Sequence, residues 1–181
     1  MPFNITEFQG NLPFGGARPS LFEVTMTNPI NASADDRFRF VCRVAQVPAS
    51  ILTPITTNYF GRPIKFAGNR TYEDWTVTIL NDEDFSVRST LEEWMNNINS
   101  TVGNVSQVFN TVYKSQAQVT HFGKAGDILR QYDFVGLFPT NIAAIDLDWS
   151  NTDALEEYTA TFSIDYWTTN SGFNAPGSAI V

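Results

Sequence analysis

The chain is poor in cysteine, histidine and long apolar runs, and each shortage excludes a class of protein. Its single thiol, Cys42, cannot form an internal disulfide framework and suits a reducing compartment. No apolar stretch approaches the roughly 20 residues that cross a bilayer, so we expect no membrane insertion. The first residues form neither a basic nor an apolar segment, so we expect no signal peptide.

Basic residues are also scarce, with 11 Lys/Arg against 19 Asp/Glu and a net charge of −8. Proteins grip a phosphate backbone through Lys and Arg, which release its counterions, so this chain is not expected to hold nucleic acid by charge. Aromatic residues are instead plentiful at 14 %. Such side chains fill cores and also form subunit interfaces. The 181 residues suffice for one domain with a proper core.

Residue types that carry chemistry are present but isolated. His121 has no second histidine or cysteine near it in sequence, and Cys42 lies in an apolar row typical of a small buried side chain. Asp146 and Asp148 could share a strand face as metal ligands do, although a solvated polar row explains an isolated Asp-x-Asp better. We therefore predict no catalytic, metal or cofactor-binding residue and interpret the chain as a non-enzyme.

Alternation of apolar and polar residues predicts a mainly β (α+β) protein. The pattern is clearest at residues 75–80, where Trp75 is interpreted as core, and at residues 156–167. Further strands are predicted at residues 20–27, 37–47, 115–122, 127–136 and 142–149. Apolar residues at helical spacing predict an amphipathic helix at residues 84–97, capped by Asn81 or Asp82. The result is an antiparallel β-sandwich or barrel with one flanking α-helix.

The remaining segments are predicted to be irregular. Residues 1–16 are interpreted as an extended N-terminal arm, residues 17–167 as the β domain and residues 168–181 as a flexible C-terminal tail. Residues 47–62 contain Pro48 and Pro54 and are interpreted as a long connection with an extended part. The stretch before Trp75 is interpreted as a turn that requires Gly68.

Five blocks of the sequence, in this order, resemble the tail-tube proteins of contractile-tailed bacteriophages. They are Ala17-Arg-Pro-Ser-Leu-Phe22, residues 62–83, Gly136-Leu-Phe-Pro-Thr-Asn-Ile142, Leu147-Asp-Trp149 and Asp165-Tyr-Trp167. The resemblance extends from about residue 17 to residue 167. Ten residues match positions of the family motifs and become candidates for supporting the protomer or an interface: Arg18, Pro19, Arg62, Gly68, Arg70, Asp74, Trp75, Pro139, Trp149 and Trp167.

The resemblance implies six β-barrel-like protomers in a ring whose inner wall is one continuous barrel. Rings would stack into a tube inside a contractile sheath in the virion tail, after assembly in the host cytoplasm. The implied partners are other copies of the chain, the sheath, baseplate and tail-terminator proteins, and a tape-measure protein that fills the tube. Genomic DNA would pass through without specific binding, and no cofactor is implied.

Two features of the sequence suit that role. The outward row of the last predicted strand is neutral to acidic, as a wall that releases DNA should be, and its lumen-facing candidates are Thr159, Thr161, Ser163 and Asp165. The connection at residues 47–62 is the candidate contact between rings. Whether Arg39 and Arg43 face the lumen or pair with carboxylates of a neighbour stays open at this point.

Other functions remain as alternatives. A related tube-fold protein of the baseplate or tail end, acting as initiator or terminator, would share the same motifs. Tube proteins of secretion systems share the architecture. A small carbohydrate-binding or hydrolytic β-domain, with Asp146 and Asp148 as working acids, is the alternative from another class.

Overall fold

Nine strands and four α-helices make up the described part of the chain. The structure, a computed structural model, describes residues 5–12, 14–106 and 109–170. The elements are α1 (Ile5–Asn11), β1 (Phe22–Met26), α2 (Asp35–Val41), β2 (Cys42–Ala45), β3 (Ser50–Tyr59), β4 (Arg62–Tyr72), β5 (Trp75–Leu80), α3 (Ser86–Ile98), α4 (Asn110–Tyr113), β6 (Ser115–Phe122), β7 (Ile128–Ile142), β8 (Glu157–Ser163) and β9 (Tyr166–Asn170).

Seven of the strands form one antiparallel sheet that folds back on itself. Its order is β1-β6-β7-β8-β5-β2, and β9 pairs with the first part of β7. The long strand β7 therefore belongs to two halves, pairing with β6 and β9 before Gly136 and with β8 after it. Gly136 has a φ of +72°, which glycine adopts without strain, where β7 passes from one half to the other.

The core lies between the two halves and under α3. Trp75 of β5 stacks on Phe134 of β7 with ring centroids 4.9 Å apart, and both side chains are fully buried. Trp94 of α3 is also buried, and its indole N–H donates to the carbonyl of Tyr113 at 2.9 Å. The predictions of strands at residues 75–80 and 115–122, of one helix near 84–97 and of a mainly antiparallel β fold are confirmed.

The prediction of a strand at residues 37–47 is wrong in its first half, because α2 occupies residues 35–41. Phe38 is buried on one face of this helix, whereas Phe40 is 78 % exposed, although strand alternation would place both inside. Asp35 and Asp36 in the first turn favour the positive end of the helix dipole. The Asp35 carboxylate also accepts the backbone N–H of Asn28 at 3.0 Å.

Two further predictions fail, one at the separate hairpin of β3 and β4 and one at the loop that follows β7. Residues 62–72 are not a turn but strand β4, which pairs with β3 in a hairpin. No strand exists at residues 143–149: β7 ends at Ile142, and the chain then runs irregularly to β8. Leu147 and Trp149, which such a strand would place on its apolar side, are 83 % and 100 % exposed.

The ends of elements also differ from the predictions. The arm contains helix α1 rather than an extended chain, and residues 168–170, assigned to the tail, belong to β9. Residues 1–4, 13 and 171–181 of the predicted arm and tail lie outside the described residues. Helix α3 begins at Ser86, whose N–H donates to the Asp84 carboxylate at 3.0 Å, so neither Asn81 nor Asp82 caps it.

Candidate assembly surfaces

The first candidate surface is the hairpin of β3 and β4, which stands apart from the main sheet. Phe60 and Gly61 connect its strands, both with positive φ, as a two-residue turn of this kind requires. Every residue from 50 to 67 is exposed. At its base, Tyr72 meets Trp167 of β9 edge to face at 5.8 Å. An isolated two-stranded hairpin is marginally stable in water unless another element packs on it. The exposed faces of this hairpin are therefore a candidate contact surface.

The register of the hairpin sorts its side chains into two different faces. Cross-strand pairs share a face, and one face carries Ile55 opposite Phe66 and Thr57 opposite Ile64. Ile55 and Phe66 are 59 % and 57 % exposed, so this apolar face is uncovered. The other face carries the cations Lys65 and Arg70.

Gly68 serves the hairpin as a bulge residue. The pairing slips between Leu52 and Pro54, so that β4 has one residue more than β3 at this point. A Cβ on Gly68 would overlap the carbonyl oxygen of Thr53. The interpretation of Gly68 as a turn glycine is therefore wrong: it allows two backbones to approach closely inside a strand pair.

The second candidate surface, called here the acidic end, consists of the loops at residues 81–85 and 143–156. The backbone N–H of Asn81 donates to the carbonyl of Glu156 at 2.8 Å and joins the two loops. Their acidic residues are Asp82, Glu83, Asp84, Asp146, Asp148, Asp153 and Glu156.

Local donors hold two of these carboxylates in the charged form. The backbone N–H of Ser86, and then the guanidinium of Arg37, lower the pKa of Asp84. The hydroxyl and the backbone N–H of Ser150 lower the pKa of Asp148. The acidic end is therefore negatively charged at neutral pH, with Arg37 as a local counter-ion beside Asp82 and Asp84.

A third surface is the polar outer face of β5 and β8. Thr159, Thr161 and Ser163 lie half-buried on it, because Tyr158, Ala160 and Phe162 point into the core. The neighbouring strand adds threonines, since Thr78 is opposite Thr159 and Thr76 is opposite Thr161. Asp165 is exposed and accepts from the Lys114 ammonium at 2.7 Å. That these four residues line a channel stays a prediction.

The motif residues lie at several places rather than in one site. Trp75 and Pro139 are buried, Trp149 is fully exposed, and Trp167 is half-buried between Tyr72 and Tyr132. Exposed positions also hold Arg18, Pro19, Arg62, Arg70 and Asp74. The carbonyl of Arg18 accepts the His121 ring at 2.7 Å, which ties the segment before β1 to β6.

Arg39, Arg43 and Cys42 have contacts within the protomer that explain their positions. Arg39 pairs with Glu23 at 2.6 Å and Arg43 pairs with Glu157, so both arginines have partners within their own chain. Cys42 is buried, and burial raises the pKa of its thiol to about 12. Among the described residues, no group of three or more His, Cys, Asp or Glu is arranged to hold a metal ion.

Comparison with known proteins gives this architecture a family. A family model described as phage tail tube protein matches residues 7–170. The chain belongs to the phage tail tube protein family. The tail tube protein gp19 of Enterobacteria phage T4 is 30 % identical over 152 residues, covering 83 % of this chain and 90 % of that protein. The tail tube protein of Serratia phage KSP90 is 25 % identical over 160 residues, covering 86 % and 90 %.

Solved structures share the tail tube fold at low sequence identity. A chain from the PVC sheath-tube complex of an extracellular contractile injection system, in the extended state, superposes with a TM-score of 0.64 at 14 % identity. It covers 86 % of this chain and 92 % of that one. A chain of the anti-feeding prophage cap reaches 0.66 at 17 % identity, covering 86 % and 91 %.

Proposed function

We propose that this chain is the repeating subunit of the tail tube of a contractile-tailed phage. Six copies form a ring whose inner wall is a continuous β-barrel, and rings stack into a hollow conduit inside a contractile sheath. Genomic DNA leaves the capsid through that conduit. Membership of the tail tube family supports this proposal, together with gp19, which is itself a tail tube protein.

The observation that carries the proposal is the uncovered hairpin of β3 and β4. Its apolar face is more than half exposed at Ile55 and Phe66, and both of its strands have a free edge among the described residues. Exposed edges and apolar faces are liabilities unless another chain covers them. Stacking of rings covers the hairpin of every copy except those at one end of the tube.

The proposed lumen is a surface that lets DNA slide. A wall of threonine and serine, such as Thr159, Thr161 and Ser163, offers no row of cations to phosphates. With a net charge of −8, the subunit has no electrostatic reason to hold the genome. The role is structural rather than enzymatic, and DNA passes without specific binding.

The remaining partners follow from the same role. Outside the tube lies the sheath, and at its two ends lie the baseplate and tail-terminator proteins. A tape-measure protein fills the lumen before ejection. The subunit is thus a virion component that assembles in the host cytoplasm.

A related end piece of the tube is the second candidate, because the fold does not separate the two roles. A chain from the PVC sheath/tube terminator superposes on this one with a TM-score of 0.66. A chain from the anti-feeding prophage baseplate superposes with a TM-score of 0.65. An end piece forms a single ring, whereas the repeating subunit forms rods of many rings.

Electron microscopy of the purified protein tests the proposal. We expect long hollow rods from the unaltered chain. In a shortened variant, residues 56–65 are replaced by Asn-Gly, so that the Ile55–Phe66 pair still closes a hairpin. This variant should form rings without rods and keep its melting temperature. Rods from the shortened variant would refute the role of the hairpin in stacking. Monomers from the unaltered chain at high concentration would refute the tube itself.

A further inference from the structure

The hairpin of β3 and β4 is a basic element on an acidic protein. Three of the eleven Lys/Arg residues and none of the nineteen Asp/Glu residues lie between Ser50 and Tyr72, which gives this segment a charge of +3 and the rest of the chain −11. Arg62, Lys65 and Arg70 form no ion pair within residues 5–12, 14–106 and 109–170. Five of the other eight cations are in ion pairs. The positive charge of the hairpin is thus not neutralised by carboxylates of the described residues.

Loop 143–156 of the acidic end is complementary to the hairpin in both charge and polarity. It exposes three large apolar side chains, Leu147, Trp149 and Leu155, at 83 %, 100 % and 76 %. Asp146, Asp148 and Asp153 lie in the same loop and have no cationic partner in the described part of the chain. Tryptophan is enriched among the residues that contribute most to protein interfaces, so Trp149 is a candidate for the centre of one.

The two surfaces lie at opposite ends of the same strands. β5 begins at Trp75, just after the hairpin, and its last residue, Leu80, is opposite Glu157, where loop 143–156 ends. Six residues of strand separate the two ends by about 20 Å at 3.3 Å per residue. Different patches at opposite ends join copies head to tail, which extends a stack instead of closing a dimer.

We infer that loop 143–156 of one copy is the acceptor for the hairpin of a copy in the adjacent ring. The apolar face, with Ile64 and Phe66, covers Leu147 and Trp149. Arg62 lies at the tip of that same face, opposite Tyr59, and meets Asp146 and Asp148. Lys65 and Arg70 on the other face add attraction toward the acidic end. The inference rests on the proposed tube, because it names the surface that receives the stacking element.

Cysteine cross-linking of assembled rods tests the contact directly. The double variant Ile64→Cys with Leu147→Cys should give, on oxidation, a ladder of covalent oligomers, whereas either single variant should give none. The native Cys42 is buried and does not compete. The matched control combines Ile64→Cys with Val102→Cys, which is 98 % exposed but lies outside both surfaces, and should give no ladder.

A charge exchange provides the second readout. Arg62→Asp alone, and Asp146→Arg with Asp148→Arg, should each shorten rods by about ten-fold or more while rings remain, because like charges then face each other. The combined variant should restore long rods. The acceptor assignment alone would be overturned if the Ile64→Cys with Leu147→Cys variant forms rods of normal length but gives no ladder. It would also be overturned if the combined charge variant stays as single rings. Failure of the unaltered chain to form any rod would instead overturn the tube.

Discussion

The hairpin of β3 and β4 and the central pair β5 and β8 are both antiparallel pairs with alternating apolar side chains, yet these side chains are exposed in the first and buried in the second. In the central pair, Trp75, Val77 and Ile79 are at most 1 % exposed, under the other half of the sheet and α3. In the hairpin, Ile55, Ile64 and Phe66 are 43–59 % exposed. The same local pattern therefore stabilises the protomer in one region and leaves apolar surface exposed in the other.

This difference separates the free energy of folding from the free energy of association. Burial of apolar area contributes roughly 25 cal/mol per Å², but only where a second layer removes that area from water. The central pair has its second layer within the chain, whereas the hairpin would acquire one only in the proposed stack of rings. We therefore expect substitutions in the two regions to act on folding and on assembly, respectively.

Replacement of Trp75 by Ala should have the largest effect on the folded protomer. The change leaves a cavity between Phe134 and Phe162, whose rings lie 4.9 and 5.5 Å from that of Trp75. We expect a loss of about 3–5 kcal/mol in the free energy of unfolding, measured by urea denaturation. Phe66→Ala in the hairpin, as the control, should change it by less than about 0.5 kcal/mol. A Trp75→Ala protein with an unchanged melting temperature but no rods would make Trp75 an interface residue instead.

Gly136→Ala should be the next most damaging change, because two effects combine at that position. Alanine is strained at a φ of +72°, and its Cβ would overlap the Asp165 carboxylate. We expect a loss of about 1–3 kcal/mol in thermal or urea unfolding. Gly126→Ala, with a φ of +83° and open space around it, has the strain alone and should cost less.

The Asp165→Ala background separates the two effects at Gly136. If the overlap with the carboxylate matters, Gly136→Ala in that background should cost less than in the unaltered protein and approach the cost of Gly126→Ala, because only the Cβ of residue 165, 3.0 Å away, stays close. An equal cost of Gly136→Ala with and without Asp165 would assign the whole effect to the backbone.

Gly68→Ala should have the smallest effect on folding. Its Cβ would meet the Thr53 carbonyl just as closely as the Cβ at position 136 would meet Asp165, but in the hairpin rather than in the sheet. We expect the global free energy of unfolding to change by less than about 0.5 kcal/mol, because the hairpin lies outside the core. Hydrogen exchange of hairpin amides should accelerate, and rods should become fewer. A large drop in melting temperature would show that the hairpin belongs to the folding unit.

Sequence reasoning predicted best the elements whose burial follows one simple period. Trp75–Leu80 and the first part of the last predicted strand alternate strictly, and their apolar residues fill the core. Residues 37–47 were misassigned because Phe38 and Cys42 fit a period of four as well as a period of two. Only the packing of Phe38, and the exposure of Phe40, distinguish the two.

The candidate surfaces were harder to predict than the core. Residues 62–72 alternate weakly and contain Pro63 and Gly68, so they resemble a turn, although Ile64 and Phe66 mark the strand. The strand predicted at residues 142–149 rests on the alternation of apolar and acidic residues that ends at Trp149, whereas the loop there exposes Trp149 fully. The two errors differ in kind, because the first overlooks a strand and the second adds one, but in both the apolar side chains are exposed in the protomer.

The prolines of the hairpin have a consequence for the subunit before it assembles. Pro54 lies in β3 and Pro63 in β4, so each free edge lacks one backbone N–H donor. Two unassembled subunits that meet hairpin to hairpin also bring like charges together. Prolines and like charges placed in this way disfavour strand-to-strand aggregation of free subunits. Under the proposed assembly, a newly made subunit would expose an apolar hairpin in solution and still keep it available for the growing end of a tube.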